Sequence, residues 1–356
     1  MWSNLVHSFP NVLDLLALTT CIGALVCRLW VVPSVTTESY LIQPLLAKLW
    51  QLLLACLAVL TLSSIIGLIQ RAAEMSGRPY SEVFSILFAV LFNSHYGQAW
   101  LVRIFALVML WVGWLLGRRK FKSRVVPIFM LVSAALIALT RSASGHGAVA
   151  GDLSLPELMD WFHLLAASLW SGSLVAFAAV VFPTWLRYGE QHVKLIADMA
   201  QRFSGLAGIA LAAVLLTGLY NSWIEVRTLS ALWTTLYGNI LSVKLLLVLV
   251  LVILGASNRY ISVPLLKRSA GYPQTHFGLS KWFTLRYLSR FQGNTDGISA
   301  AHGLAHKVIA EVILMVGVMI CAALLIHETP ARHQIHFEHI ILQPPLEPAP
   351  AFLQIA

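Results

Sequence analysis

Residues 239–257 read NILSVKLLLVLVLVILGAS, a stretch with one charge, Lys244, and no alternating polar face. A bilayer core of about 30 Å takes roughly 20 apolar residues as helix. Inside it a backbone must satisfy its own hydrogen bonds, which a helix does and an open strand does not. Comparable runs recur near 10–32, 45–69, 98–117, 125–141, 157–182, 203–223 and 307–327, making eight with the first. Of the 356 residues 58% are hydrophobic and 11% charged, with a mean hydropathy of +0.79, which leaves too little polar surface for a water-soluble domain of this size. The expected fold is an all-α integral membrane protein of about eight transmembrane helices. Long runs without period-two alternation argue against a membrane barrel.

The basic residues set an orientation. Arg118, Arg119, Lys120, Lys122 and Arg124 follow the third run, and Arg259, Lys267, Arg268, Lys281, Arg286, Arg290 and Lys307 lie between the seventh and eighth. Both groups are expected on the cytoplasmic side. Alternation then puts Arg28, Lys48, Arg187, Lys194 and Arg202 inside as well, so seventeen of 24 basic residues agree. Arg71, Arg78, Arg141, Arg227 and Arg332 fall outside, Arg103 and Lys244 fall within runs, and both termini are expected in the periplasm. Met1 to Pro10 lacks a cationic start, and no small-residue cleavage pattern precedes Arg28, so a membrane-retained N-terminus is expected rather than a cleaved signal. The +9 charge then serves topology and anionic lipid, with no nucleic-acid partner implied. Cys21, Cys27, Cys56 and Cys321 all fall in runs, which speaks against a disulfide scaffold.

A short motif occurs twice. Tyr96-Gly97 precedes Arg103, and Tyr237-Gly238 precedes Lys244 at the same interval; Asp14 and Asp160 open the first and fifth runs, and Gly67-Leu68 matches Gly218-Leu219. Two parallel four-helix repeats are expected, 1–142 and 143–327, followed by a tail, 328–356. Sites in such proteins form between the repeats. The apolar segments 81–93 and 226–236, each ahead of a Tyr-Gly, are too short to span and read as outer re-entrant or interfacial helices.

Eight of the twelve histidines lie on the side that the basic residues avoid. Met159, Asp160 and His163 share one helical face just below the outer surface, and an ionisable group at membrane depth normally faces a bundle interior or a wet cavity. Asp160 is expected either to orient the imidazole or to cap the helix. His146 in a glycine-flanked loop, His95 before Tyr96, His7 and His327 are candidates to join His163 in one outer vestibule. The tail carries His333, His336 and His339 at intervals of three, a candidate capture arm. Imidazole suits Cu(II), zinc and nickel, while thioether and thiolate select Cu(I). Met159, Met315, Met319 and Cys321 therefore tilt the choice toward copper. On the cytoplasmic side His302 and His306, four apart, form a candidate release pair. Residues 258–306 read as a long linker with an amphipathic helix near 279–291. The chain has no P-loop, acylphosphate segment or CxxC metal-binding domain, so ATP-driven pumping is not expected.

Asp160-x2-His163 followed by Trp170-x-Gly172, then Arg202-Phe203-Ser204, Thr217-Gly218, Tyr237-Gly238 with Lys244, Asn258-Arg259 and Pro330-Ala331-Arg332-His333 resembles the bacterial copper resistance protein D (CopD) family. The likeness is clearest over 140–333. It implies an inner-membrane protein of about eight helices that moves copper from periplasm to cytoplasm, often beside a periplasmic CopC-like copper-binding protein. Thr329 departs from the pattern where a second proline is common, and no family role extends to His336 or His339. Three functions stay open: a copper permease, which is not an enzyme; a haem b-binding electron carrier or metalloreductase in which His163 and His327 face each other; and an assembly factor that hands copper to a cuproenzyme.

Overall fold

Eight helices in the computed structural model are long and apolar enough to cross a membrane: Phe9–Val31, Ile42–Ser76, His95–Arg118, Val125–Ser142, Leu155–Arg187, Val193–Val226, Leu236–Ser269 and Gly297–Leu325, here spans one to eight. The structure describes residues 2–33, 39–77, 79–119, 123–144, 151–188, 192–226, 228–273 and 297–327, and among them there is no strand. Span one is the axis of the bundle and packs against spans two, four, five and eight. Leu18, Ile22, Leu25, Leu49, Leu53 and Phe177 are fully buried around it. Spans six and seven turn apolar side chains outward, Leu216 and Leu246 among them, and these faces meet lipid.

Several helices outrun their apolar cores. Span seven continues through Arg259, Lys267 and Arg268 to Ser269, and the last helix already begins at Gly297. The expected linker 258–306 is therefore shortened at both ends, since 258–269 and 297–306 are helical. Hydropathy registers only the part of a helix that needs lipid, whereas the helical hydrogen-bond ladder continues into water as long as no breaker intervenes. The amphipathic helix expected near 279–291 lies outside the described residues.

Spans one and five cross at backbone contact. A Cβ on Gly23 would fall within the backbone of Gly172 and Ser173, and a Cβ on Gly172 would strike the Thr19 carbonyl. Span five also carries two π-helical turns, Ser168–Gly172 and Phe177–Val181, a distortion frequent at functional sites. Gly172→Ala should push the two helices apart and destabilise the bundle by about 3 kcal/mol, the upper range for overpacking. The check is the thermal unfolding midpoint in detergent. Gly67→Ala, where nothing lies within 4 Å of the added carbon, should leave the midpoint unchanged.

The repeated motif folds the same way in both places. Ser94 and Thr235 adopt nearly identical extended dihedrals (φ −114°, ψ 147° and φ −113°, ψ 151°). Each side-chain oxygen accepts from the amide of the glycine three residues on, Gly97 or Gly238, at 3.0 Å. Each glycine lets its helix close onto a preceding short one, Val83–Asn93 or Ala231–Thr234. The first is a helix whose Phe84, Phe88 and Phe92 form an exposed stripe; the second is a single turn. Spans three and seven thus begin from one capping device used twice.

Candidate functional site

Asp14 and Asp160 sit five residues, and Arg103 and Lys244 eight residues, inside helices that all start at one end of the bundle. They therefore lie at a common depth, and there they line a cavity of about 1010 Å³. The cavity opens at the end opposite the basic loops, and its wall is drawn from all eight spans.

The N-terminal half closes its charges. Asp14, 5% exposed, accepts from Ser63 Oγ at 2.8 Å, from Arg141 Nη1 at 2.7 Å and from Arg103 Nη2. Arg103 Nε also donates to Ser64 Oγ at 2.8 Å. Arg141, placed outside by the sequence, belongs to this buried cluster, reaching Asp14 from the last turn of span four. Its neighbour Ser142 donates to Asp160 Oδ2 at 2.8 Å, so two consecutive residues of span four serve the two equivalent acids.

The C-terminal half leaves its pair open. Lys244, at the position equivalent to Arg103, makes no hydrogen bond or ion pair with a described residue, although Asp160 and His163 lie within its electrostatic reach. Three residues beyond the two acids the halves differ again, with Ala17 in one and His163 in the other.

His163 takes its orientation from Thr217 and not from Asp160. Its Nδ1 lies 2.9 Å from Thr217 Oγ1, and that hydroxyl donates to the Ala213 carbonyl at 2.6 Å. Having given up its proton there, the oxygen accepts from Nδ1–H, so Nε2 carries the lone pair. The Val214 carbonyl also lies within reach of the ring, and no side chain of a described residue bonds Nε2. Gly218 stands against the ring, which explains a Thr-Gly pair at this depth. Helix capping, the other role considered for Asp160, belongs to Glu157, which reaches back past the N-cap Ser154 and accepts from Leu153 N at 2.7 Å.

The remaining candidates separate. Met315 and Met319 are buried, line the cavity beside Trp170 and pack with Leu15 and Leu251. Met159 is not among the lining residues, since one turn before His163 it has already rotated past the wall. His95 is outside the cavity, its Nε2 2.7 Å from Asp152 in an exposed pair. His302 accepts or donates at Nδ1 only within its own helix, at the Ile298 carbonyl 2.9 Å away, with its ring edge against Trp185, and His306 is exposed. His146, His333, His336, His339 and the side chain of His327 lie outside the described residues. Among the described residues no three His, Cys, Asp or Glu side chains are grouped as a metal site. Cys21, Cys27, Cys56 and Cys321 are free and buried.

At the basic end a second polar cluster ties spans seven and eight. Asn258 Nδ2 donates to Glu311 Oε1 at 2.8 Å, Ser262 Oγ to Asn258 Oδ1 at 3.1 Å, and Lys307 Nζ to Ser262 Oγ at 2.9 Å. Sequence reading missed Glu311, whose only signal was a carboxylate inside an apolar run.

An eight-span helical bundle with a charged cavity lined by all eight spans defines a multi-pass membrane protein. Residues 10–155 match the family model described as copper resistance protein D-like, N-terminal domain, and residues 197–325 match copper resistance protein D; the chain belongs to the copper resistance protein D family. It is 27% identical over 219 residues to the Copper transport protein CutJ of Bacillus subtilis (strain 168), covering 60% of this chain and 40% of that protein. It is 26% identical over 231 residues to the Inner membrane protein YebZ of Escherichia coli (strain K12), covering 64% and 76%. With Copper resistance protein D of Pseudomonas syringae pv. tomato it shares 28% identity over 218 residues, covering 58% and 67%. The aligned part thus spans less than half of the first relative's length. No solved structure gives a significant match.

Proposed function

We propose that the protein carries copper across the bacterial inner membrane, from the side on which the cavity opens to the side on which the basic loops lie. The observation that carries this reading is the pairing, in one cavity, of an imidazole whose Nε2 no described side chain engages with the thioethers of Met315 and Met319. Imidazole accepts either oxidation state, and thioether sulfur favours Cu(I). The names of CutJ and of the Pseudomonas relative support copper as the cargo, and that of YebZ supports the inner membrane. The positive-inside bias faces the cavity to the periplasm, where a CopC-like protein would deliver the ion and the His333, His336 and His339 tail would act as a capture arm.

Alternating access needs two states. A cavity open at one end, over a basic half clamped by Asn258, Ser262, Lys307 and Glu311, corresponds to the outward-facing one. Release would follow past His302 and His306. Haem ligation asks instead for two imidazoles at one depth, and among the described residues His163 is the one histidine lining the cavity.

Metal analysis of the purified protein, read with its visible spectrum, tests the proposal. Bound copper without a Soret band is expected. A Soret band that moves on reduction would overturn it in favour of the electron carrier.

A further inference from the structure

The cavity has no net negative charge to draw a bare cation. Its inner charges are Asp14 and Asp160 against Arg103, Arg141 and Lys244, three cations to two carboxylates, and a protonated His163 would only raise the excess. The remaining lining charges, Arg71, Glu74 and Glu225, bring the whole wall to four cations and four carboxylates, with Glu74 paired to Arg71 at 3.1 Å and Glu225 one residue before its helix ends.

Spare donors face the same space. Arg103 uses Nε and Nη2 on Ser64 and Asp14, whereas Arg141 commits Nη1 alone, and Lys244 commits none of its three hydrogens among the described residues. Both cations line the cavity that Asp160 also lines. An ionised group at membrane depth normally finds an opposite charge. A guanidinium edge beside an ammonium is a carboxylate-binding arrangement.

Size points the same way. A cavity of about 1010 Å³ lies at the upper end of the range for organic ligands, and its mostly apolar wall with a few convergent polar groups is of the kind that holds them. An ion alone would fill a small fraction of it.

We infer that this cavity binds a carboxylate-bearing organic anion, held by Lys244 and Arg141. Resting on the copper reading, the cargo then arrives as an anionic copper chelate whose metal meets His163 Nε2. The two halves divide the work: Asp14 ties Arg103 and one nitrogen of Arg141 as a fixed support, and Lys244 with the uncommitted nitrogens of Arg141 stays open for the ligand.

The test uses the full chain in detergent and two titrants, the Cu(I)–glutathione complex and metal-free S-methylglutathione, which keeps the carboxylates and lacks the thiol. Wild type should bind both. Lys244→Met should weaken both by about tenfold or more, the loss of one charge-assisted contact, and Lys244→Arg should restore them. If S-methylglutathione binds and copper adds nothing, the carboxylate site stands and the copper reading fails. The inference is overturned if S-methylglutathione does not bind wild type, a result that needs no variant to fold. It is also overturned if Lys244→Met leaves anion binding unchanged and takes up uncomplexed Cu(I) more tightly, which would make the lysine a tethered competitor of the metal.

Discussion

Asp14→Ala is expected to be the most damaging single substitution in the bundle, costing about 3–5 kcal/mol, the range for breaking a buried charge pair from one side. Asp14 is the common acceptor of Ser63, Arg103 and Arg141. Without it two guanidinium groups remain inside the membrane-spanning bundle with no carboxylate between them. Their combined desolvation falls on spans three and four, while span one, which packs against spans two, four, five and eight, loses its polar tie to both. The readout is the thermal midpoint in detergent together with the fraction that stays monodisperse. Asp14→Asn, which keeps an acceptor oxygen and drops the charge, should fall between. A wild-type midpoint for Asp14→Ala would show that the cluster is hydrated and structurally idle.

Much of this architecture was written in the sequence because lipid imposes a strict code. Spans had to be long and apolar, the basic residues had to collect at one end, and the Tyr-Gly repeat was visible because one backbone device, Ser94 or Thr235 capping a helix start, requires a glycine three residues later. The partners were not legible in the same way. That Arg141 would reach Asp14, that Thr217 rather than Asp160 would orient His163, and that Glu311 would meet Asn258 all depend on how helices rotate about their axes. In an all-round apolar helix no hydrophobic stripe fixes that rotation. The methionines illustrate the ambiguity. Met159 shared a helical face with His163 by count and does not line the cavity, whereas Met315 and Met319, on a different span, do.

His163→Ala carries the largest functional effect. The substitution removes Nε2 from the cavity and leaves Thr217 with its bond to Ala213 intact, so the fold should survive while the imidazole donor is lost. Bound copper should fall by about tenfold or more, the usual consequence of deleting a metal-site interaction. The thioethers of Met315 and Met319 remain but meet the ion without a nitrogen partner. The measurement that bears most directly on the central claim is copper entry into sealed, right-side-out membrane vesicles that hold either wild type or His163→Ala at equal abundance. Wild-type vesicles should accumulate copper in the lumen with time, and His163→Ala vesicles should stay near the level of vesicles without the protein. Equal accumulation in the two would remove His163 from the path, and copper that binds wild type without ever reaching the lumen would make the protein a copper-delivery factor instead of a carrier.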